Sequence, residues 1–497
     1  MKWLGLVAAL LLGSGAAQEL AERVTEYELD NGMRVIFVEQ DAAPVMAFNL
    51  MFDVGGVDEP DGLGGVAHMV EHMAFKGTTT IGALDVEAER SALAKVEVAA
   101  LSLEWVRENG TDEELAAAEA YFAAAQSEAQ ALALASPLDD LLSGNGGVGL
   151  NASTAYDRTD YVVELPANRL ELYARIYADV LSDPVFRYFY EERDVVREER
   201  RSRNEDDPQG VLFEAFLGEA FQVHPYGRSL IGPAEEISGY RASAAQAIFD
   251  LYYHPNRAVL VIVGDVEPER DIEVLRRYFG ALAAGPEFRP AVRREPEQTS
   301  ERFVSTEYNA EPQLAVGYHK PTYPERDAYA LDLASALLST GRTSRLYKRF
   351  ITGDQLALDV FTSAAFPGTR YDNLFVFYAL PRSPNSPEDL SAAFFEEVER
   401  LKTEPVSDEE LQKVKNQVRA DVVRSLASNS GLASNLAYNE LFAGGWESLT
   451  TDLDVYDTIT AEDIQRAVQT YLVPENRTTA VLTPSAQPET ESEEDTQ

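Results

Sequence analysis

Apolar and polar positions along the chain fall into a rhythm that repeats. After the turn Asp30-Asn31-Gly32, Met33 to Val38 reads as a short strand. Val45 to Phe52 alternates apolar residues and reads as a second. A Gly-rich turn and a helix follow. The same order returns far down the chain: a strand around Gln313 to Tyr318, a polar turn, then a helix Ala328 to Leu338 ending at Ser339-Thr340-Gly341. The two ends match too. Tyr252-Tyr253-His254-Pro255-Asn256 precedes a strand Ala258 to Val263, and Tyr471-Leu472-Val473-Pro474-Glu475-Asn476 precedes a strand Thr479 to Leu482. This pattern predicts a duplicated α+β unit, each copy a mostly antiparallel sheet with helices on one face.

Between Leu84 and Pro137 the chain is rich in Ala, Leu and Glu. It reads as two helices broken at Asn109-Gly110, with Thr111 and Glu114 spaced as a capping box. This predicts a helical hairpin, 84–137, inserted in the first copy. It could guide substrate, contact a partner or brace the domain. Residues 280–301 have no clean period and read as a linker. The expected domains are therefore 18–279 and 302–484. Residues 485–497 are polar and acidic and read as a disordered tail.

The first seventeen residues break the pattern. Lys2 is their only charge, an apolar run extends from Trp3 to Leu12, and small residues follow to Ala17. This is the layout of a secretory signal peptide, residues 1–17, and predicts an exported, periplasmic location for a soluble mature chain. No later stretch is apolar for long enough to span a membrane.

Composition narrows the function. At 497 residues, with 45% hydrophobic and 25% charged residues, the chain suits several globular domains. It has no cysteine, which removes disulfides, thiolate ligands and a thiol nucleophile. The net charge of -42 argues against nucleic acid as a partner and is compatible with basic peptides.

The chemistry concentrates in His68-Met69-Val70-Glu71-His72, which holds two of only five histidines. Residues four apart share a helix face, so both imidazoles can reach one ion. Glu71 stands at the edge of that face, where a carboxylate can take a proton from water acidified by zinc. The order H-x-x-E-H inverts the common H-E-x-x-H pattern.

The segment from Gly62 to Thr78 resembles the active-site helix of the pitrilysin/insulinase family of zinc metallopeptidases, which includes mitochondrial processing peptidase. The resemblance extends over nearly the whole mature chain. It implies two halves forming a clamshell, one zinc ion per chain, and a peptide substrate. It also implies a third ligand on a later helix, matched here by Glu191 to Glu199. By resemblance Glu199 is the ligand and Glu192, seven residues earlier, orients a histidine. Glu198 is the rival and points about 100° away. Asn151-Ala-Ser-Thr-Ala-Tyr-Asp-Arg-Thr-Asp-Tyr161 resembles the family's substrate-pairing edge strand, and Asn151 and Ala152 carry over as substrate-binding positions.

The second copy lacks this chemistry. Laying Gly341 over Gly77 puts Asp332, Ser335 and Ala336 at the places of His68, Glu71 and His72, and Gln417 falls opposite Glu199. The family's second half also supplies an Arg and a Tyr that hold substrate. Their places here hold Ile351 and Leu358. The resemblance therefore implies the zinc subunit of a heterodimer, with a homologous partner carrying the Arg/Tyr pair. The competing readings are a non-catalytic scaffold and a peptide-binding or chaperone subunit that keeps zinc for stability.

Overall fold

The computed structural model describes residues 20–485, apart from 288 and 290. The expected leader and all of the expected tail beyond Ser485 lie outside the described residues.

The first unit is built on β1 (Val24–Glu28), β2 (Arg34–Glu39), β3 (Val45–Phe52), β4 (Val148–Thr154), β5 (Thr159–Pro166) and β6 (Ala258–Gly264), in the order β1-β2-β6-β3-β5-β4. Only β2 and β6 run parallel. The second unit is built on β7 (Arg302–Tyr308), β8 (Gln313–Lys320), β9 (Ala357–Phe366), β10 (Asn373–Pro381) and β11 (Arg477–Pro484), in the order β7-β11-β8-β10-β9. Here only β7 and β11 run parallel. Removing β1 makes the two orders superimpose strand for strand. The duplication read from the pattern is thus a duplication of topology, in which the first and last strands of each copy pair side by side.

The helices used below are α1 (Val66–Met73), α2 (Val86–Asn109), α3 (Asp112–Gln130), α4 (Phe189–Arg200), α5 (Pro208–Ala220), α6 (Arg326–Ser339), α7 (Asp408–Ser425) and α8 (Asn429–Phe442). α2 and α3 form the anticipated hairpin. Thr111 Oγ1 accepts from the Glu114 backbone N–H while Glu114 accepts from the Thr111 backbone N–H at 2.8 Å, so the capping box forms as the sequence pattern predicts. Residues 283–301 carry no helix or strand among those described.

The boundaries between units differ from the two contiguous domains expected. Residues 201–227 belong with the second unit, and residues 419–457 belong with the first. Each copy thereby gives one helix to the other copy's sheet. α8 packs on β6 and β3 of the first sheet, where Leu432 and Leu436 meet Ile36, Met51 and Val261. α5 packs on β7, β8 and β11 of the second sheet, where Phe216 lies so close to Gly317 that a Cβ there would strike its ring. A hydrophobic period marks α5 and α8 as helices that bury a face, but it does not name the sheet they bury it against. The helical layer expected on one face of each sheet is therefore supplemented by one helix on the other.

Candidate metal centre

α1 is placed by its apolar positions. Met69, Val70 and Met73 are fully buried in the first unit's core, each burial contributing about 1.5–3 kcal/mol. That leaves His68 and His72 on the remaining face, half-buried. The helix begins at Gly65, whose φ of 85° suits glycine, and a Cβ there would strike the Ile231 carbonyl. Glu59 satisfies the buried helix start, accepting from the backbone N–H of Gly65 at 2.7 Å and of Ala67 at 2.8 Å. Burial pushes the Glu59 carboxyl up to about 8, against the pull of those two N–H groups and the Arg228 charge.

His68 and His72 stand with ring centres 4.8 Å apart. Glu199, on α4, places Oε2 3.5 Å from His68 Nε2 and 3.8 Å from His72 Nε2. One ligand atom from each of His68, His72 and Glu199 falls within 4.8 Å of the others. Glu198 is exposed, whereas Glu199 is half-buried and turned into the cluster. Glu192 lies two turns earlier on the same face, with Oε2 3.1 Å from His72 Nδ1. Its other oxygen accepts from Lys76 Nζ at 2.5 Å. Burial raises the Glu192 carboxyl, but its bonds to His72 and Lys76 outweigh this and hold it below the usual carboxylate range. A charged Glu192 on Nδ1 leaves His72 Nε2 directed at Glu199, the arrangement in which an imidazole binds a metal. Two imidazole nitrogens and one carboxylate, with a carboxylate behind one ring, fit zinc.

Glu71 is nearly buried, at 8% exposure, and accepts from Thr154 Oγ1 at 2.6 Å. Thr154 ends β4, the strand at the edge of the sheet. On that strand Asn151 is exposed and Ala152 half-buried, pairing with Val162 and Tyr161 of β5. Among the described residues the other side of β4 has no strand partner.

Three residues here escape the sequence reading. Thr154 carries a period-two signal, since it shares a face with Ala152. Lys76 continues the four-residue step from His68 through His72. Glu59 has no local signal, because its role depends on a loop folding back on the start of α1.

The chain belongs to the insulinase family, peptidase family M16. Its profile matches residues 34–104 and 138–234, and the profile of the peptidase M16 inactive domain matches 242–418. Residues 105–137, most of the hairpin, are left unmatched. The chain is 26% identical to zinc protease PqqE of Helicobacter pylori, over 97% of this chain and 98% of that protein. It is 23% identical to the probable mitochondrial-processing peptidase subunit beta of Arabidopsis thaliana, over 89% of this chain and 75% of that one. A crystal structure of a protease from Helicobacter pylori superimposes with a TM-score of 0.78 at 25% identity, covering 93% of this chain and 99% of that one. The periplasmic protease PqqL from Escherichia coli superimposes with a TM-score of 0.69 at 18% identity, covering 93% of this chain but 48% of that one.

Proposed function

We propose that this chain is a zinc-dependent endopeptidase acting on unfolded peptides or small proteins. One observation carries the reading: His68, His72 and Glu199 converge within 4.8 Å beside Glu71. When bound, zinc would supply the Lewis acidity that makes water a nucleophile at neutral pH. His68, His72 and Glu199 would hold the ion, and Glu192 would fix the ring of His72. Glu71 would take the proton of the attacking water and return it to the leaving amine. Thr154 would keep the Glu71 carboxylate turned toward that task. The free side of β4 would take the peptide backbone as an added strand, with Asn151 and Ala152 beside it.

The same reading makes this the zinc-bearing member of a pair. Ile351 and Leu358 stand where the family places an Arg and a Tyr, and Leu358 is exposed on β9. The PqqL chain, about twice as long, supports a paired arrangement at the level of fold. The apolar leader supports export to the periplasm. Among the described residues no helix is long and apolar enough to cross a membrane. Measuring zinc content together with peptide cleavage, with and without a candidate homologous chain, tests both claims. Zinc bound without cleavage under any pairing would favour the scaffold or chaperone reading. Full activity alone, with no gain from a partner, would reject the heterodimer.

A further inference from the structure

Away from the metal-ligating cluster, α2, α3 and the start of α4 enclose a cavity of about 260 Å³. Leu93, Val96, Ala129 and Phe189 give it apolar walls. Its size lies between a benzene-sized hole of about 150 Å³ and the usual small-molecule site of about 300–1,000 Å³. The α3 wall comes from residues 105–137, which the family profile leaves unmatched.

The charge in this cavity is unbalanced. Arg187 also lines it, but its guanidinium is engaged by Glu89 at 2.5 and 2.9 Å and by the carbonyls of Lys76, Thr78 and Ile81. Two further carboxylates remain. Glu97 accepts from Tyr190 Oη at 2.6 Å and from Ser243 Oγ at 2.8 Å. Glu191 accepts from Gln126 Nε2 at 2.8 Å and from Gln130 Nε2. All four donors are neutral. Among the described residues neither Glu97 nor Glu191 has a cation at ion-pair distance. Two carboxylates flanking an apolar hollow, hydrogen-bonded but not neutralised, complement a positive charge carried on an apolar body.

We propose that this cavity is a binding site, separate from the metal centre, for a small organic ammonium with an apolar stem. The ammonium is either a free amine or the side chain of a peptide lysine, and it sits between Glu97 and Glu191. The site stands independently of the peptidase reading, since it uses none of the proposed zinc ligands.

Calorimetric titration of the full chain with 4-phenylbutylammonium tests it, with 4-phenylbutan-1-ol as the neutral counterpart. The amine should bind at one saturable site and the alcohol at least about tenfold more weakly, the usual worth of a charge-assisted hydrogen bond. Glu191→Gln and Glu97→Gln should each weaken the amine by about tenfold. Ala129→Leu, which fills the hollow, should abolish binding while the melting curve stays cooperative. Nα-acetyl-lysine amide binding within threefold of the free amine assigns the site to peptide lysines; binding of the free amine alone assigns it to small amines. Equal affinity for amine and alcohol, unchanged affinity in both Gln variants, or no saturable binding of either amine probe would overturn the proposal. Should one Gln variant fail to fold, the other and Ala129→Leu still decide.

Discussion

α1 and α6 occupy the same place in two copies of one topology, each between the second strand of its copy and the strand at the sheet edge. In both, a side chain at the matching position reaches a threonine on that edge strand. Glu71 accepts from Thr154 at 2.6 Å, and Ser335 Oγ lies 2.9 Å from Thr362 Oγ1. The packing frame is therefore kept while the chemistry is not. Asp332, in the place of His68, is bonded instead by the Tyr323 hydroxyl. Ala336 offers no donor at the place of His72. A helix can be positioned entirely by its buried apolar residues, so its remaining face is open to acquire or lose function without refolding the sheet.

That comparison breaks most sharply at the general base. Glu71→Gln should lower kcat/KM on an unstructured peptide by roughly 10²–10⁴-fold, with zinc content unchanged. Ser335→Ala, at the matching place, should leave both unchanged. Peptide cleavage with metal analysis on the two variants checks this. Retained cleavage in Glu71→Gln would sink the proposed mechanism, and lost cleavage in Ser335→Ala would show that the second copy still takes part.

The support behind the ligands should matter less. Glu192→Gln removes the charge that holds His72 Nδ1, so zinc affinity should fall by about 10–100-fold, read by competition with a chelator. Gln417→Glu, at the place matching Glu199, should bring no second zinc, because Asp332 and Ala336 supply no imidazole.

How much of this could be read beforehand follows from what each feature depends on. The strand Val45–Phe52 and the site helix are marked by local period, and the structure places them where that period does. The hairpin announces its own break at Asn109-Gly110. Glu199 rather than Glu198 was reachable through spacing and resemblance, since the helical repeat separates their directions. The exchange of α5 and α8 was not legible, because burial of a helix face carries no address. β1 carries no such signal, because Val24–Glu28 is short and half-exposed at an edge, without a buried alternation. Glu59 carries none either, because its partners are backbone N–H groups of Gly65 and Ala67, which nearly every residue has.

The two units should also answer pH in opposite directions. Glu59, in the first unit, is a carboxyl raised by burial to about 8. Its folded form binds a proton more tightly than the unfolded chain, so its contribution is full below about pH 4.5 and fades as pH rises toward 8. His224, in the second unit, is held down to about 4 chiefly by burial. Its folded form binds a proton less tightly, so its contribution is full above about pH 6.5 and fades as pH falls toward 4. Each swing should be about 3–5 kcal/mol. Hydrogen exchange followed separately in β3 and β8 across pH 4–8 would show it. Glu59→Gln should flatten the first slope and His224→Gln the second, and parallel slopes in both units would contradict the assignment.

The smallest effect concerns the hairpin, which the second copy lacks. Thr111 caps α3, and Ser386 caps the helix Pro387–Thr403 by the same reciprocal pairing with Asp389. Either residue changed to Ala should cost its helix about 1 kcal/mol. The consequences should differ because the helices are packed differently. Pro387–Thr403 buries Phe394 and Leu401, and Phe394 stacks on Phe377 of β10 at 4.0 Å, so Ser386→Ala should lower the melting point of the second unit. In α3 only Ala125 and Ala129 are fully buried, so Thr111→Ala should speed amide exchange in the first turns of α3 and leave the main transition in place. An equal drop in melting point for both variants would mean that the hairpin is a cooperative part of the first unit. Local fraying alone would mark it as an addition that the core does not need.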